Sequence, residues 1–264
     1  MSGQARFHGL EIELHRFAGA RALQVVHPGA QKIDEHRHDW AYIGIYTIGR
    51  YRERYDGGEL MMSGPCAVLH PPGRPHADEV GEEGLETITI EFDPAWLRLN
   101  GIEVAMDRSI AWSGGPAALA ARRLASALRN PQASDADLAR ATGSFLRRAM
   151  AAETPATPSW LAQAGNLLSA DEPPSTLDLA RRLDLHPAWL ARAYRHFSGE
   201  GLAETARRHR VEQASALLRR TDLPLADIAH SAGFCDQSHM NRCFARVLGR
   251  TPARVRTERL QPAG

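Results

Sequence analysis

From residue 7 to about residue 108, apolar positions come in short alternating or unbroken runs. "WAYIGIYTIG" (40–49), "CAVLHPPG" (66–73) and "LETITIEF" (85–92) have the pattern of strands. Turn-forming stretches separate them: "YDGGE" (55–59), "SGP" (63–65), "PPGRP" (71–75) and "GEEG" (81–84). Short strands between Gly-rich turns predict an antiparallel sandwich or barrel. Then the period changes. Ala117, Ala120, Leu124, Ala127 and Leu128 fall on one helical stripe, and Leu138, Ala141, Phe145 and Ala149 on a second. "ETPATPSW" (153–160) holds two prolines and two threonines with little to bury, and reads as a linker. Everything after it is helical, with short breaks.

Within that last third the chain repeats itself. "LARRLDLHPAWLARAYRHFSG" (179–199) returns as "IAHSAGFCDQSHMNRCFARVLG" (228–249). Leu179, Ala180 and Leu185 match Ile228, Ala229 and Phe234 at an offset of 49. Leu190, Arg192, Tyr194 and Gly199 match Met240, Arg242, Phe244 and Gly249 at 50. One inserted residue at the turn accounts for the change. Each copy predicts a short helix, a tight turn and a longer helix closed by a glycine in the left-handed conformation. A small residue, Ala180 or Ala229, sits where the helices cross. This is a helix-turn-helix, whose second helix enters the major groove of DNA. A longer helix over about 202–219 joins the two copies.

On these motifs, residues ~160–259 resemble the DNA-binding domain of the AraC/XylS family of bacterial transcription regulators. The resemblance is closest over "IAHSAGFCDQSHMNRCFARVLGRTPARVR". Asp184 stands where the family's first turn usually has Gly, and His186 where the following helix usually has a Ser cap. The resemblance implies two readers placed for successive major grooves, ~34 Å apart. Carried over by position, it exposes Ala188, Ala191, Arg192 and Arg195 in the first reading helix, with Trp189 expected to pack under the joining helix. In the second helix it exposes Gln237, Ser238, His239, Asn241 and Arg242. Arg192 and Arg242 are the strongest candidates for guanine O6/N7.

In the strand-rich half, "EHRHDW" (35–40) puts His36 and His38 on one face of a strand. "HPPGRPH" (70–76) adds Pro71-x-Gly73-x-x-His76, after a turn at Gly64. The pair resembles the two motifs of the cupin β-barrel. In metal-binding cupins the three histidines and an acid four or five residues after HxH hold one divalent ion. Here those later positions are Tyr42 and Ile43. Three readings stay open: a bound transition metal such as zinc at His36, His38 and His76, a metal-free effector pocket, or packing alone. Trp40, Tyr42, Tyr46 and Arg74 join the histidines as candidate pocket residues. Tyr51, Arg52, Glu53 and Arg54 read as an exposed strand face.

Charge and composition refine this picture. The net charge of +1 hides an asymmetry: residues 1–158 carry 17 Lys/Arg against 20 Asp/Glu, and residues 159–264 carry 15 against 11. Arginine supplies every base of the second segment, the residue suited to phosphate and guanine edges. No apolar run approaches the ~20 residues of a membrane span. The N-terminal stretch lacks the pattern of an export signal, and the odd cysteine count fits a reducing compartment, so the expected location is the cytoplasm. The expected architecture is α+β. A cupin-like β-barrel sensor occupies 1–110, a helical connector 111–155 and an all-α domain with two helix-turn-helix motifs 156–264. The expected function is sequence-specific transcription regulation, activation by family resemblance, controlled by a small-molecule effector in the barrel. Its partners would be double-stranded DNA, the effector, RNA polymerase and a second copy of the chain through 115–152, with no membrane. Two other readings compete: a cupin-type metal enzyme with a helical appendage, and a helical interaction module that never meets DNA.

Overall fold

A computed structural model describes residues 7–56, 58–63, 66–102, 109–151, 158–170 and 172–258. Gly64 and most of the proline-threonine stretch at 153–160 lie outside the described residues. The chain divides into two compact units, Met1–Thr154 and Pro155–Gly264.

The first unit is built on one eight-stranded antiparallel sheet. Its strands are β1 (Leu10–Phe17), β2 (Ala20–His27), β3 (Gln31–His36), β4 (Tyr42–Tyr55), β5 (Gly58–Ser63), β6 (Cys66–His70), β7 (His76–Phe92) and β8 (Ile110–Trp112). The order is β1-β2-β7-β4-β6-β8, with β3 on β7 and β5 on β4. The sheet is therefore cupin-like without being a closed barrel among the described residues. It curls because its two longest strands kink together. Gly49 takes φ 96° and Gly84 φ 77°. A Cβ on Gly49 would sit 2.0 Å from the Gly84 carbonyl oxygen, so only glycine allows this approach. The register slips on either side, between Tyr46 and Ile48 and between Gly49 and Tyr51.

These slips reverse the alternation of faces. Before the kink Ile43 and Ile45 turn to the helices while Tyr42 and Tyr46 turn inward; after it Tyr51 and Glu53 are the inward residues. The expectation of an exposed face over 51–54 is thus corrected: Tyr51 and Glu53 are buried, and only Arg52 and Arg54 look outward. The outer face, with Ile43, Ile45, Leu69, Ile88 and Ile90, packs against α1 (Pro94–Leu99), α2 (Gly115–Leu128) and α3 (Asp135–Ala151). On α3 the buried stripe includes Thr142 and Leu146, and Ala141 faces solvent; the true stripe is rotated by one position from the one expected. Both helices serve as packing for the sheet.

The second unit contains α4 (Ser159–Leu168), α5 (Thr176–Arg182), α6 (Pro187–Ser198), α7 (Leu202–Arg220), α8 (Leu225–Ser231), α9 (Gln237–Leu248) and α10 (Pro252–Glu258). The repeat is a repeat of structure: α5–α6 and α8–α9 have equal lengths, and Gly199 and Gly249 end the second helices at φ 74° and 68°. In both turns the chain doubles back through the same hydrogen bond, Leu185 N to Ala180 O and Phe234 N to Ala229 O, each 2.9 Å.

Candidate nucleic-acid interface and effector cavity

The two reading helices bury one stripe and expose the other. On α6, Leu190 and Tyr194 are buried while Ala188, Arg192 and Arg195 are exposed and Ala191 is half-buried. Arg195 is drawn aside, its guanidinium 3.7 Å from Glu204. Trp189 is 43% exposed, with its inner edge against Trp160 at 5.5 Å between ring centres. It packs on α4, not under α7 as expected.

On α9, Met240, Cys243 and Phe244 are buried while Gln237, Ser238, Asn241 and Arg242 are exposed. His239 is half-buried: its ring stands edge-on to Phe234, and its Nδ1 accepts from the Cys235 amide at 3.4 Å. That nitrogen faces the turn, so only the other ring nitrogen can point away from the protein. Arg246, one turn beyond Arg242, extends the same exposed face. Sequence reasoning passed over it, although its i+4 spacing from Arg242 was the available signal.

The sheet's inner face holds a cleft with about 400 Å³ of empty space, part of it open to solvent. Of the expected pocket residues, His36, His38, Tyr42 and Tyr46 line it. His76 stands at its edge, its Nε2 3.4 Å from the Tyr42 hydroxyl. Trp40 and Arg74 are not among the lining residues. The Arg74 guanidinium lies over the Tyr55 ring at 4.1 Å, and its carbonyl accepts from His76 Nδ1 at 3.0 Å. One donor nitrogen from each of His36, His38 and His76 lies within 4.8 Å of the others.

Asp78, which the sequence motifs did not indicate, completes the group. Its Oδ2 is 3.6 Å from His36 Nε2 and 4.0 Å from His76 Nε2. Its other oxygen accepts from the Tyr51 hydroxyl at 2.6 Å. Burial, reinforced by the His76, His36 and His70 imidazoles, drives the His38 pKa down to about 3. Burial also lowers His76, against the pull of Asp78. Both rings are therefore neutral near pH 7, with a lone pair to offer. Behind Tyr42, whose ring stacks on His70, a second buried pair joins His70 Nδ1 to Glu53 at 3.3 Å.

A bent sheet with a polar cleft, in one chain with two helix-turn-helix modules, defines a two-domain class: ligand-binding domain and helical reader. Comparison with known proteins gives the family. Residues 21–149 match the model of the AraC-like ligand binding domain, and residues 179–258 that of a helix-turn-helix domain. The regulatory protein SoxS of Salmonella typhimurium is 32% identical over 84 residues, 31% of this chain and 78% of that protein. A putative AraC-like transcription regulator of Streptomyces lividans is 35% identical over 85 residues, 32% of this chain and 28% of that protein. The matched segment thus spans little more than a quarter of that longer relative. ToxT of Vibrio cholerae aligns over 90% of this chain and 98% of its own at 11% identity and a TM-score of 0.38. The chain belongs to the AraC family. No helix among the described residues is long and apolar enough to cross a membrane.

Proposed function

We propose that this protein is a sequence-specific, DNA-binding transcription regulator, most simply an activator, whose N-terminal cleft binds a small effector. One observation carries the reading: two helix-turn-helix modules of matching geometry each expose an arginine, Arg192 or Arg242, at the same place on the reading helix. Arginine can hold guanine O6 and N7 with both arms of its fork, which makes these two the base readers. Gln237 and Asn241 suit adenine, and Ser238 either strand. Ala188 and Ala191 offer apolar contact to a thymine methyl. Arg195 serves phosphate after leaving Glu204, and His239 contributes through its outward nitrogen.

The effector acts by binding the DNA-competent and DNA-incompetent states with different affinity, since equal affinity would shift nothing. A homodimer, a cytoplasmic location and contact with RNA polymerase belong to the same reading; turnover of a substrate does not. The test is duplex binding by fluorescence anisotropy across a salt series. Phosphate neutralisation requires log K to fall linearly with log salt, at about −0.9 per phosphate contacted. A flat dependence would return the helical unit to an interaction module.

A further inference from the structure

We infer that the N-terminal cleft is a divalent transition-metal site formed by His36, His38, His76 and Asp78, and that the ion is the effector this regulator senses. The second half of that statement rests on the proposed function; the first stands on geometry alone. His36 Nδ1 lies 2.9 Å from the Asp34 carbonyl and His76 Nδ1 3.0 Å from the Arg74 carbonyl. A carbonyl only accepts, so both protons sit on Nδ1 and both Nε2 atoms carry lone pairs. Those two Nε2 atoms face Asp78 Oδ2 at 3.6 and 4.0 Å. Two imidazole lone pairs and a carboxylate oxygen thus converge with no proton between them. Such a cluster of acceptors, in a buried setting, calls for a cation at its centre.

Three further features fit an ion rather than a proton or an organic cation. Backbone carbonyls anchoring the far nitrogens are the usual outer support of metal-bound histidine, fixing tautomer and ring direction. Tyr51 does the same for the acid by donating to Asp78 Oδ1, leaving Oδ2 for the centre. His38, buried, brings a third imidazole, and its Nδ1 has no hydrogen-bond partner. Neither lysine nor arginine lines the cleft to supply the positive charge instead. Three nitrogens and one oxygen suit zinc and its first-row neighbours, not magnesium or calcium. Ligands about 2.0–2.1 Å from zinc in a tetrahedron lie roughly 3.4 Å apart, so small side-chain rotations close the set. The acid missing after the HxH pair is supplied from β7 instead, two residues past His76. An ion here would tie the His36–His38 segment to β7, a link that exists only in the bound state.

The test uses the full untagged chain, stripped with chelator and titrated with Zn²⁺ against a chromophoric competitor, with Co²⁺ as spectroscopic probe and Mg²⁺ as control. A Cys235→Ser background removes an exposed thiol. The expected result is one equivalent of Zn²⁺ or Co²⁺ and no Mg²⁺, with visible Co²⁺ bands of a low-coordinate site. His76→Ala should abolish binding. Asp78→Asn should weaken it at least tenfold and move the Co²⁺ bands. Tyr51→Phe, which leaves every ligand in place, should weaken it roughly ten- to a hundredfold. Circular dichroism identifies any variant that fails to fold. Absence of binding by folded wild type, or equal binding by Asp78→Asn and His76→Ala, overturns the site. The same samples are then assayed for duplex binding with and without Zn²⁺. A change in DNA affinity in wild type but not in His76→Ala supports the ion as effector; one equivalent bound with no change overturns that half. DNA binding without any metal binding would leave the regulator reading intact, and metal binding with no DNA binding would refute that reading alone.

Discussion

The two helix-turn-helix modules share a scaffold and differ in how their turns are held. In the second, Gly233 takes φ 72° and Asp236 caps α9 by accepting from the His239 amide at 2.6 Å. In the first, the equivalent turn residue is Asp184 at φ 52°, and His186 begins α6 with no side-chain cap. An L-residue in the left-handed region costs roughly 1–2 kcal/mol, less for aspartate, and a missing cap about 1 kcal/mol more. The first module is the locally strained one, and it must be held from outside.

The support lies in a buried ion pair that the repeat has inverted. Glu200 pairs with Arg208 in the first module and Arg250 with Glu258 in the second, at the same offset of 50 and the same spacing of eight, with the charges exchanged. The first pair is the better buried and more connected. Arg208 also binds Glu212, Glu200 also accepts from Thr205, and Glu212 reaches His209, which bonds to Ser169 at the end of α4. The second pair has one further partner, exposed Arg254. What strain the first turn carries, its ionic network offsets.

Removing that network is the strongest way to break the comparison. Arg208→Met leaves Glu200 and Glu212 buried without their cation and should cost about 3–5 kcal/mol in urea unfolding of the helical unit. Arg250→Met should cost distinctly less, because Glu258 reaches solvent and Arg254. The acid limb gives an independent check. Burial alone would raise Glu212, but Arg208 and then His209 outweigh it and bring it down to about 2. The resulting stability is fully present above the ordinary carboxylate value near 4.5 and is lost as pH falls from there through about 2. Wild type should lose stability across that window, and Arg208→Met should lose less.

Next in size, Arg192→Ala and Arg242→Ala should each lose about 1–3 kcal/mol of specific DNA binding, roughly 5- to 150-fold. Equal losses would mean that the strained module reads as well as the relaxed one. Smaller effects sharpen the comparison at the turns. Gly233→Ala should destabilise by about 1–2 kcal/mol, whereas Asp184→Gly should stabilise by up to about 1. At the caps, Asp236→Ala should cost about 1 kcal/mol and His186→Ser should return a similar amount. Opposite signs at equivalent positions are the signature sought by thermal or urea unfolding.

Both modules were legible in the chain because each is local: a helix, a turn and a helix over some twenty residues, written twice. Asp184 and His186 already marked the first turn as the weaker one. The ion pairs were not legible, since opposite charges at an i, i+8 spacing across a helix boundary have no periodic signature. In the sheet, the histidines of the cleft could be read from two short motifs, but Asp78 and Tyr51 could not. They meet only because β4 and β7 pair in a register shifted by the Gly49–Gly84 kink, which turns Tyr51 and Glu53 inward against the simple alternation. Trp40 and Arg74 were suggested by nearness in sequence to the motif histidines, and strand geometry sends them elsewhere.

The most direct measurement of the central claim is selection of bound duplexes from a randomised pool by the full chain, followed by sequencing. Two readers on one polypeptide predict two enriched blocks with centres about 10–10.5 base pairs apart. Arg192→Ala should relax one block and Arg242→Ala the other, each leaving its neighbour intact. A single block indifferent to Arg192, or no enrichment at all, would contradict the account.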